Sequence, residues 1–415
     1  MTPLLPSPTA SPTTLPSSTA SPTTLPTLMP TPITIQPSPT LPAFTEEQRA
    51  AQFDEVWQTV ADQYMDSNFG GVDWQAIKER YEPRVRAATT PEQFYDVLKQ
   101  MVAVLDDRHS RYLSPQDAFR EQARTSGTDA YVGIGISVLS TVSGGQIETV
   151  FPNSPAEEAG LRRRDVILTV DGLPFAGNQG AMSGPAETTV KLVIQSPGQE
   201  PRELTVVRRP VIHKIVPEAY RLGGTNIGYL LIQSFWAEDM GDQVIAALVQ
   251  LIADKPIDGL VIDLRGNGGG WRPVLEKLLA SFTEGKAGEF FRQDEATPVE
   301  VVPNELNTRL KDTPIVVLVD GDSQSYAEVF AAALQGAGRA KVVGMPTAGN
   351  TETIFAYDFD DMSRLWIAGE GFRLVSGENL EGRGVIPDVV IDVDWAAWSE
   401  ANDPHIVKAL ELLGN

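Results

Sequence analysis

The sequence predicts a multi-domain α/β protein: a helical N-terminal module, a β-rich module, and a mixed α/β core with a mostly parallel sheet. Three observations predict it. The chain has 415 residues, 42% of them hydrophobic, enough for two or three separate cores. Apolar residues recur at helical spacing early in the chain and at strand spacing from Tyr131 onward. Beyond Val211, buried-strand patterns alternate with helical ones, and such alternation needs crossover connections between parallel strands.

The chain opens on a stretch that reads as no domain. Residues 2–43 hold 12 of the 31 prolines and no charged residue, and most of the rest is Thr and Ser. The segment TASPTTLP occurs at 9–16 and again at 19–26. Such a stretch buries too little apolar surface to offset ordering entropy, so 1–43 reads as a disordered, semi-extended stalk. A stalk of this kind suits an extracytoplasmic protein (secreted, periplasmic or cell envelope). No basic start or apolar h-region marks a signal peptide, so either the start lies upstream or the protein is cytoplasmic, and the expectation is an exported protein with its leader upstream.

Residues 44–118 read as a helical cap. Phe53, Val56, Trp57, Val60 and Tyr64 share one helical face, and a second helix runs from Trp74 to Ala87. Pro91 opens a third, capped by Thr89 or Thr90, with Tyr95, Leu98, Met101, Val102 and Leu105 as its stripe. The module closes on LDDRHSRYLSP, 105–115. Residues 128–210 read as short strands: 131–140, a strand pair or one strand interrupted by Gly133 and Gly135, then 147–151, 165–172, 188–195 and 202–209. One short helix interrupts them, opened by Ser154-Pro155 and closed by Gly160. In 211–415, strands at 227–235, 258–265, 314–321 and 341–344 alternate with helices at 240–252 and 325–338. The tail holds extended, antiparallel-looking segments at 363–368 and 389–394, and a last helix from Pro404.

Composition narrows the chemistry. With 55 Asp+Glu against 33 Lys+Arg, the net charge is −22, which repels nucleic acid, strongly acidic substrates and anionic membranes. No apolar run approaches the roughly 20 residues of a membrane helix. The absence of cysteine excludes disulfides, thiolate metal sites and a Cys nucleophile. Any imidazole mechanism must draw on His109, His213 or His405.

Chemistry concentrates in the third region. Ser325 stands where a buried strand gives way to a helix, so its hydroxyl lies near free N–H groups that favour an oxyanion. A plain N-cap is the alternative role, and Ser323 in the same loop is a competing nucleophile. The GNGGG run at 266–270 lets backbone N–H groups approach a ligand closely; no Lys-Ser/Thr follows, as a phosphate loop requires.

These motifs carry a resemblance. IGYLLIQSF, GLVIDLRGNGGG, DSQSYAEVF, VVGMPTAGN and GVIPDVVIDV, in that order, resemble the C-terminal processing peptidases, the tail-specific serine proteases of the S41 type. YVGIGISV, ETVFPNSPAEEAGL and DVILTVDG resemble the PDZ domain those proteases carry, and 44–118 resembles their N-terminal cap. The resemblance implies a ClpP/crotonase-like core over 211–415. It makes Ser325 the nucleophile, with the N–H groups of Tyr326 and Gly269 as oxyanion donors. It also gives the PDZ-like module a peptide site on the backbone of Gly133, Ile134, Gly135 and Ile136, with the helix after Ser154 as the other wall. Arg162–Arg164, where the family has a glycine-containing turn, would add attraction for a carboxylate.

One position departs from the family. The resemblance places a general-base lysine where this chain has Asn350, and Asn accepts no proton at useful pH. Lys341 precedes a strand and points elsewhere. Two readings remain. One is a catalytically inactive peptide- or ligand-binding protein. The other is the Ser/His/acid arrangement of the tricorn-like branch, which implies His109 as base and Glu381 as its acid, with Glu378 and Glu352 as alternatives. His213 and His405 read as structural. The expected function is a serine endopeptidase that needs no metal or cofactor and takes polypeptides with accessible C-termini or unfolded segments. An esterase shares the nucleophile logic, but no G-x-S-x-G elbow surrounds Ser325.

Overall fold

Three helices, Glu46–Gln63, Trp74–Ala87 and Pro91–Val102, open the fold, and each has a cap and one apolar face. Thr45 and Gln48 make a reciprocal capping box, Asp73 accepts from Ala76 N–H at 3.0 Å, and Thr90 accepts from Gln93 N–H at 3.3 Å. Phe53, Val56, Ile77, Phe94, Leu98 and Met101 are buried between them, each stabilising by roughly 1.5–3 kcal/mol. The computed structural model describes residues 39–126, 130–292, 295–393 and 402–414, all within one compact unit spanning 34–415. Most of the expected stalk, and residues 128 and 129 of the expected β-rich module, lie outside the described residues.

The helical cap does not close its core alone. Leu365, Ile367 and Ala368, from the strand Arg364–Leu374, complete it. That strand also pairs antiparallel with Arg111–Leu113, so LDDRHSRYLSP does more than end the module: it adds a strand to a sheet of the core. A further helix, Pro115–Thr125, extends past the expected boundary at 118. It was not legible because it carries few apolar residues and buries only Pro115 and Ala118.

The β-rich module is one antiparallel sheet in the order Ile136–Thr141, Gly144–Val150, Val166–Val170, Thr189–Gln195, Arg202–Val207. Ile147, Ile167, Val190, Leu192, Ile194 and Val206 make its core. The stretch 131–140 is two strands that do not pair with each other. Ala130–Gly133 pairs with the departing strand Arg209–Ile212, while Ile136–Thr141 pairs with 144–150.

In the α/β core, six strands run in the order Glu218–Arg221, Ile227–Leu231, Gly259–Asp263, Ile315–Val319, Ala340–Gly344, Val389–Val390. Only the first is antiparallel to its neighbour. The middle strands are buried on both faces, which is why they read as unbroken apolar runs. Leu230, Leu260, Ile262 and Val317 face the helices Met240–Leu251, Arg272–Phe282 and Tyr326–Gly336. Tyr229, Val261, Val316 and Leu318 face the terminal helix Pro404–Leu412. The segment expected to be antiparallel at 389–394 instead adds two residues in parallel to the sheet edge, beside Val343 and Gly344. A hairpin at Gly285–Arg292 and Glu295–Val301, absent from the sequence reading, joins the Arg364–Leu374 strand.

One buried ionic node ties the modules. Asp263, fully buried, accepts from Tyr229 Oη at 2.7 Å and from Arg265 Nε and Nη2 at 2.9 and 2.6 Å. Burial pulls its carboxyl pKa up, but Arg265 outweighs burial and holds it well below the usual range. Arg265 also meets Asp403 at 2.9 Å. From the β-rich module, Arg163 Nη2 donates to the Arg265 carbonyl at 2.6 Å and Arg164 lies 3.5 Å from Asp403. Arg163 and Arg164 therefore face the core, which corrects their expected role in drawing a peptide carboxylate. Asp263→Ala leaves Arg265 buried beside an empty site and should cost about 3–5 kcal/mol in denaturant unfolding. A loss under 1 kcal/mol would show that the node contributes little.

Candidate active site

Ser325 sits at the junction of the strand Ile315–Val319 and the helix Tyr326–Gly336, with φ 54° and ψ −129°. A positive φ is rare for a residue with a side chain and costs on the order of 1–3 kcal/mol, so something must hold it. Glu328 does. Its fully buried carboxylate accepts from Ser325 N–H at 3.0 Å, Gly349 N–H at 2.8 Å, Asn350 N–H at 2.9 Å, and the Thr347 hydroxyl. Burial raises the Glu328 pKa, and its donors pull the other way. The sequence reading quoted Glu328 within a motif but gave it no role. Its position three residues after an N-cap serine was the available signal.

Ser323 leaves the contest. It is fully buried, and its hydroxyl donates to the Leu264 carbonyl at 2.9 Å.

The glycine run packs directly against the elbow. A Cβ on Gly269, whose φ is +81°, would fall 2.6 Å from Ser325 Cβ and 3.0 Å from Tyr326 N, so only glycine fits. The Gly269 N–H, however, donates to Asn267 Oδ1 at 2.8 Å, so this expected oxyanion donor is already engaged. Asn267 is fully buried and fixes the run in turn: Nδ2 donates to the Ile232 carbonyl at 2.7 Å, and its carbonyl accepts from Gln324 N–H at 2.8 Å.

Asn350 occupies the place the resemblance gives to lysine. Its carbonyl accepts from Ser325 N–H at 2.8 Å and its Nδ2 donates to Gln324 at 3.2 Å, while Oδ1 is buried without a hydrogen-bond partner. Lys341 pairs with Asp388 at 2.8 Å.

His109 arrives from the cap. Asp107 Oδ1 accepts the His109 N–H at 2.9 Å and that of Ser110, and the Ser110 hydroxyl accepts from Ala368 N–H at 3.1 Å. The ring is 94% shielded. Its Nε2 lies 3.6 Å from Glu352 Oε2 and 3.7 Å from Glu381 Oε1, outside hydrogen-bond range. Glu381 is held from behind: Oε2 accepts from Thr351 N–H at 2.6 Å, Thr351 Oγ1 at 3.2 Å and Glu352 N–H at 3.2 Å. The loops carrying them touch where a Cβ on Gly349 would meet Arg383 N at 2.6 Å. Glu378 instead pairs with Arg383.

The structure therefore brings Ser325, Tyr326 and Gly269 together, and separately His109 with Glu381 and Glu352. No described hydrogen bond joins Ser325 to His109; the continuous stretch 350–352 links the two groups.

Of the other histidines, His213 packs against Phe151 with ring centroids 4.4 Å apart and a 45° tilt, and burial, with Arg124 nearby, lowers its pKa to about 4. His405 belongs to the Asp403 node.

The β-rich module has its own recess. A cavity of about 240 Å³ is lined by Ile134, Ile136, Ser137, Met182, Arg124 and His213. Ile136–Thr141 is an edge strand, open to strand addition. Gly133 pairs with Arg209, and the carbonyls of Ile134 and Gly135 accept from Ala156 and Phe151. The opposite wall is the turn Gln179–Met182 with Arg124. The expected wall, Pro155–Glu158, is a four-residue helix whose Ala156 is buried in the module's own core.

Residues 226–391 match the model of peptidase family S41, 45–103 the tricorn protease C1 domain, and 146–208 a PDZ domain. Residues 226–391 are thus an S41 peptidase domain. It is 29% identical to a carboxyl-terminal-processing protease of Synechocystis over 91% of this chain and 89% of that one. It is 28% identical to the chloroplastic C-terminal processing peptidase of Tetradesmus obliquus over 85% and 79%. The solved photosystem II D1 C-terminal processing protease shares the fold with a TM-score of 0.59 at 24% identity, covering 90% of this chain and 98% of that one. The chain is thus a C-terminal processing serine peptidase with a PDZ domain. No described helix is long and apolar enough to cross a membrane.

The two carboxylates beside His109 are driven apart. Burial raises Glu381 as well, but His109 and Thr351 outweigh it and hold it below the usual range. Burial, with the Glu381 charge adding, pushes Glu352 from 4.5 up to about 7. A raised carboxyl favours folding below about 4.5 and loses that contribution as pH rises through about 7. Glu352→Gln should therefore match wild type in thermal unfolding near pH 4 and gain roughly 1–3 kcal/mol over it by pH 8, in EDTA. A difference constant with pH would refute the placement of Glu352.

Proposed function

We propose that the chain cleaves flexible or C-terminal polypeptide segments with a Ser325–His109–Glu381 triad in place of the Ser/Lys dyad. The observation that carries the proposal is the burial of His109 against Glu381, which is anchored by Thr351 and Glu352 of the loop that also supports the serine elbow. Ser325 attacks the scissile carbonyl, and its proton passes to the ring nitrogen facing away from the carboxylates. Glu381, kept ionised, balances the imidazolium, and Glu352, raised to about 7, is protonated in roughly half the molecules near pH 7. His109 then returns the proton to the leaving amine. The Tyr326 N–H heads the elbow helix and points its dipole at the oxyanion. Gly269 supplies the second donor once its N–H exchanges Asn267 Oδ1 for the oxyanion.

The PDZ edge strand and its cavity would hold an extended tail, with Arg124 near its carboxylate. The boundaries proposed are a stalk to 43, a cap from 44 extended by the helix ending at Thr125, the PDZ to 210 and the peptidase from 211. The Ser/Thr/Pro stretch supports work outside the cytoplasm. Asn350 at the lysine position favours a second reading, an inactive tail-binding protein on the same fold.

Cleavage of an unfolded protein, followed by mass spectrometry, separates them. Ser325→Ala and His109→Ala should each lower the rate by about 10³-fold or more, and Asn350→Ala by less than about tenfold. No cleavage by wild type, with or without the PDZ occupied by a tail peptide, would leave the binding protein.

A further inference from the structure

We propose that His109, Glu352 and Glu381 form a site for a divalent zinc-like cation that switches the peptidase off. Three ligand atoms, one from each residue, lie within 4.8 Å of one another. The His109 ring is almost fully shielded, and its Nε2 has no hydrogen-bond partner while facing both carboxylates. An orphaned buried nitrogen is costly, and its geometry says what would satisfy it.

The distances decide between two ligands. At 3.6 and 3.7 Å, Nε2 is too far from either oxygen for a hydrogen bond. Two donors on one Zn²⁺, each at about 2.0–2.2 Å, sit roughly 3.4–3.6 Å apart at tetrahedral or trigonal angles. The observed spacings are those of neighbours sharing a metal. One imidazole and two carboxylates also neutralise a doubly charged cation. The outer contacts are present: Thr351 and Glu352 N–H groups and the Thr351 hydroxyl hold Glu381 from behind. The imidazole selects zinc over magnesium or calcium, which take oxygen donors at longer range or keep their water. The sequence reading found no ligand set, because the three residues come from the cap, the loop after Asn350 and the loop before Gly382.

Binding does not depend on the proposed triad; inhibition does. With zinc on Nε2, His109 loses the nitrogen that faces Glu381 and can no longer carry the serine proton on the other.

The full chain, stripped with EDTA, is dialysed against micromolar Zn²⁺ or Mg²⁺ and its metal content measured. Wild type should retain about one Zn²⁺ and no Mg²⁺. His109→Gln and Glu352→Gln, confirmed folded by circular dichroism, should each weaken retention at least tenfold. Cobalt(II) in place of zinc should give the visible absorption of a low-coordinate site in wild type alone. Zinc retained equally by both variants, or not retained by wild type, overturns the site. In a parallel assay, zinc should lower wild-type cleavage at least tenfold, reversed by EDTA. Glu352→Gln should be inhibited less, relative to its own zinc-free rate. Zinc lost with the ligands but without inhibition keeps the site and removes His109 from the reaction.

Discussion

The buried carboxylate of Glu328 is the contact on which the rest of the site depends. A serine at positive φ is unstable by itself, and the irregular loop 347–350 has no ladder to hold it. Glu328 accepts donors from both and turns two weak features into one rigid piece. A charged acceptor makes each of these bonds about twice as strong as a neutral one, provided that water stays out. The elbow therefore needs the helix around Glu328 to be buried, and its residues from Tyr326 to Leu334 are.

The second constraint is the strand Arg364–Leu374. Its sides serve different masters: Leu365 and Ile367 complete the cap core, while its backbone pairs with Arg111–Leu113, Thr353–Asp358 and Gly285–Arg292. His109 reaches the site only because of this arrangement, two residues before the first of those pairings. Thr353–Asp358 follows directly on Thr351 and Glu352, so one strand positions both the imidazole and the acids it faces. Around it, Trp236, Trp271 and Trp366 cluster with centroids 5.1–6.0 Å apart, giving the floor beside the glycine run a stiff apolar surface.

Much of this was legible in the sequence. The long apolar runs at 227–231, 259–263 and 315–319 announced a doubly covered sheet because strands buried on both faces show no alternation. The helices with clear caps, such as the one opened by Thr90-Pro91, were legible to within a residue at their starts. What escaped was structure specified by partners far along the chain. The hairpin 285–301 has one strand with mostly exposed side chains, so it carries no strong period of its own. The helix Pro115–Thr125 buries too little to announce itself. At the site, single residues in motifs could be named, but not that Asn267 occupies the Gly269 N–H, nor that Glu352 joins Glu381 at His109. Those are facts of close packing, and no spacing encodes them. The wall of the PDZ recess was misplaced for the same reason: a four-residue helix reads like a groove wall until its alanine is seen inside the core.

The central claim is that an imidazole, and not the amide at the lysine position, activates Ser325. Covalent labelling of Ser325 by a fluorophosphonate, followed by intact-protein mass spectrometry in zinc-free buffer, tests it without knowledge of the substrate. The account predicts one adduct on Ser325 in wild type and Asn350→Ala, and a labelling rate lowered by about 10²-fold or more in His109→Ala. Labelling of His109→Ala at the wild-type rate would contradict it.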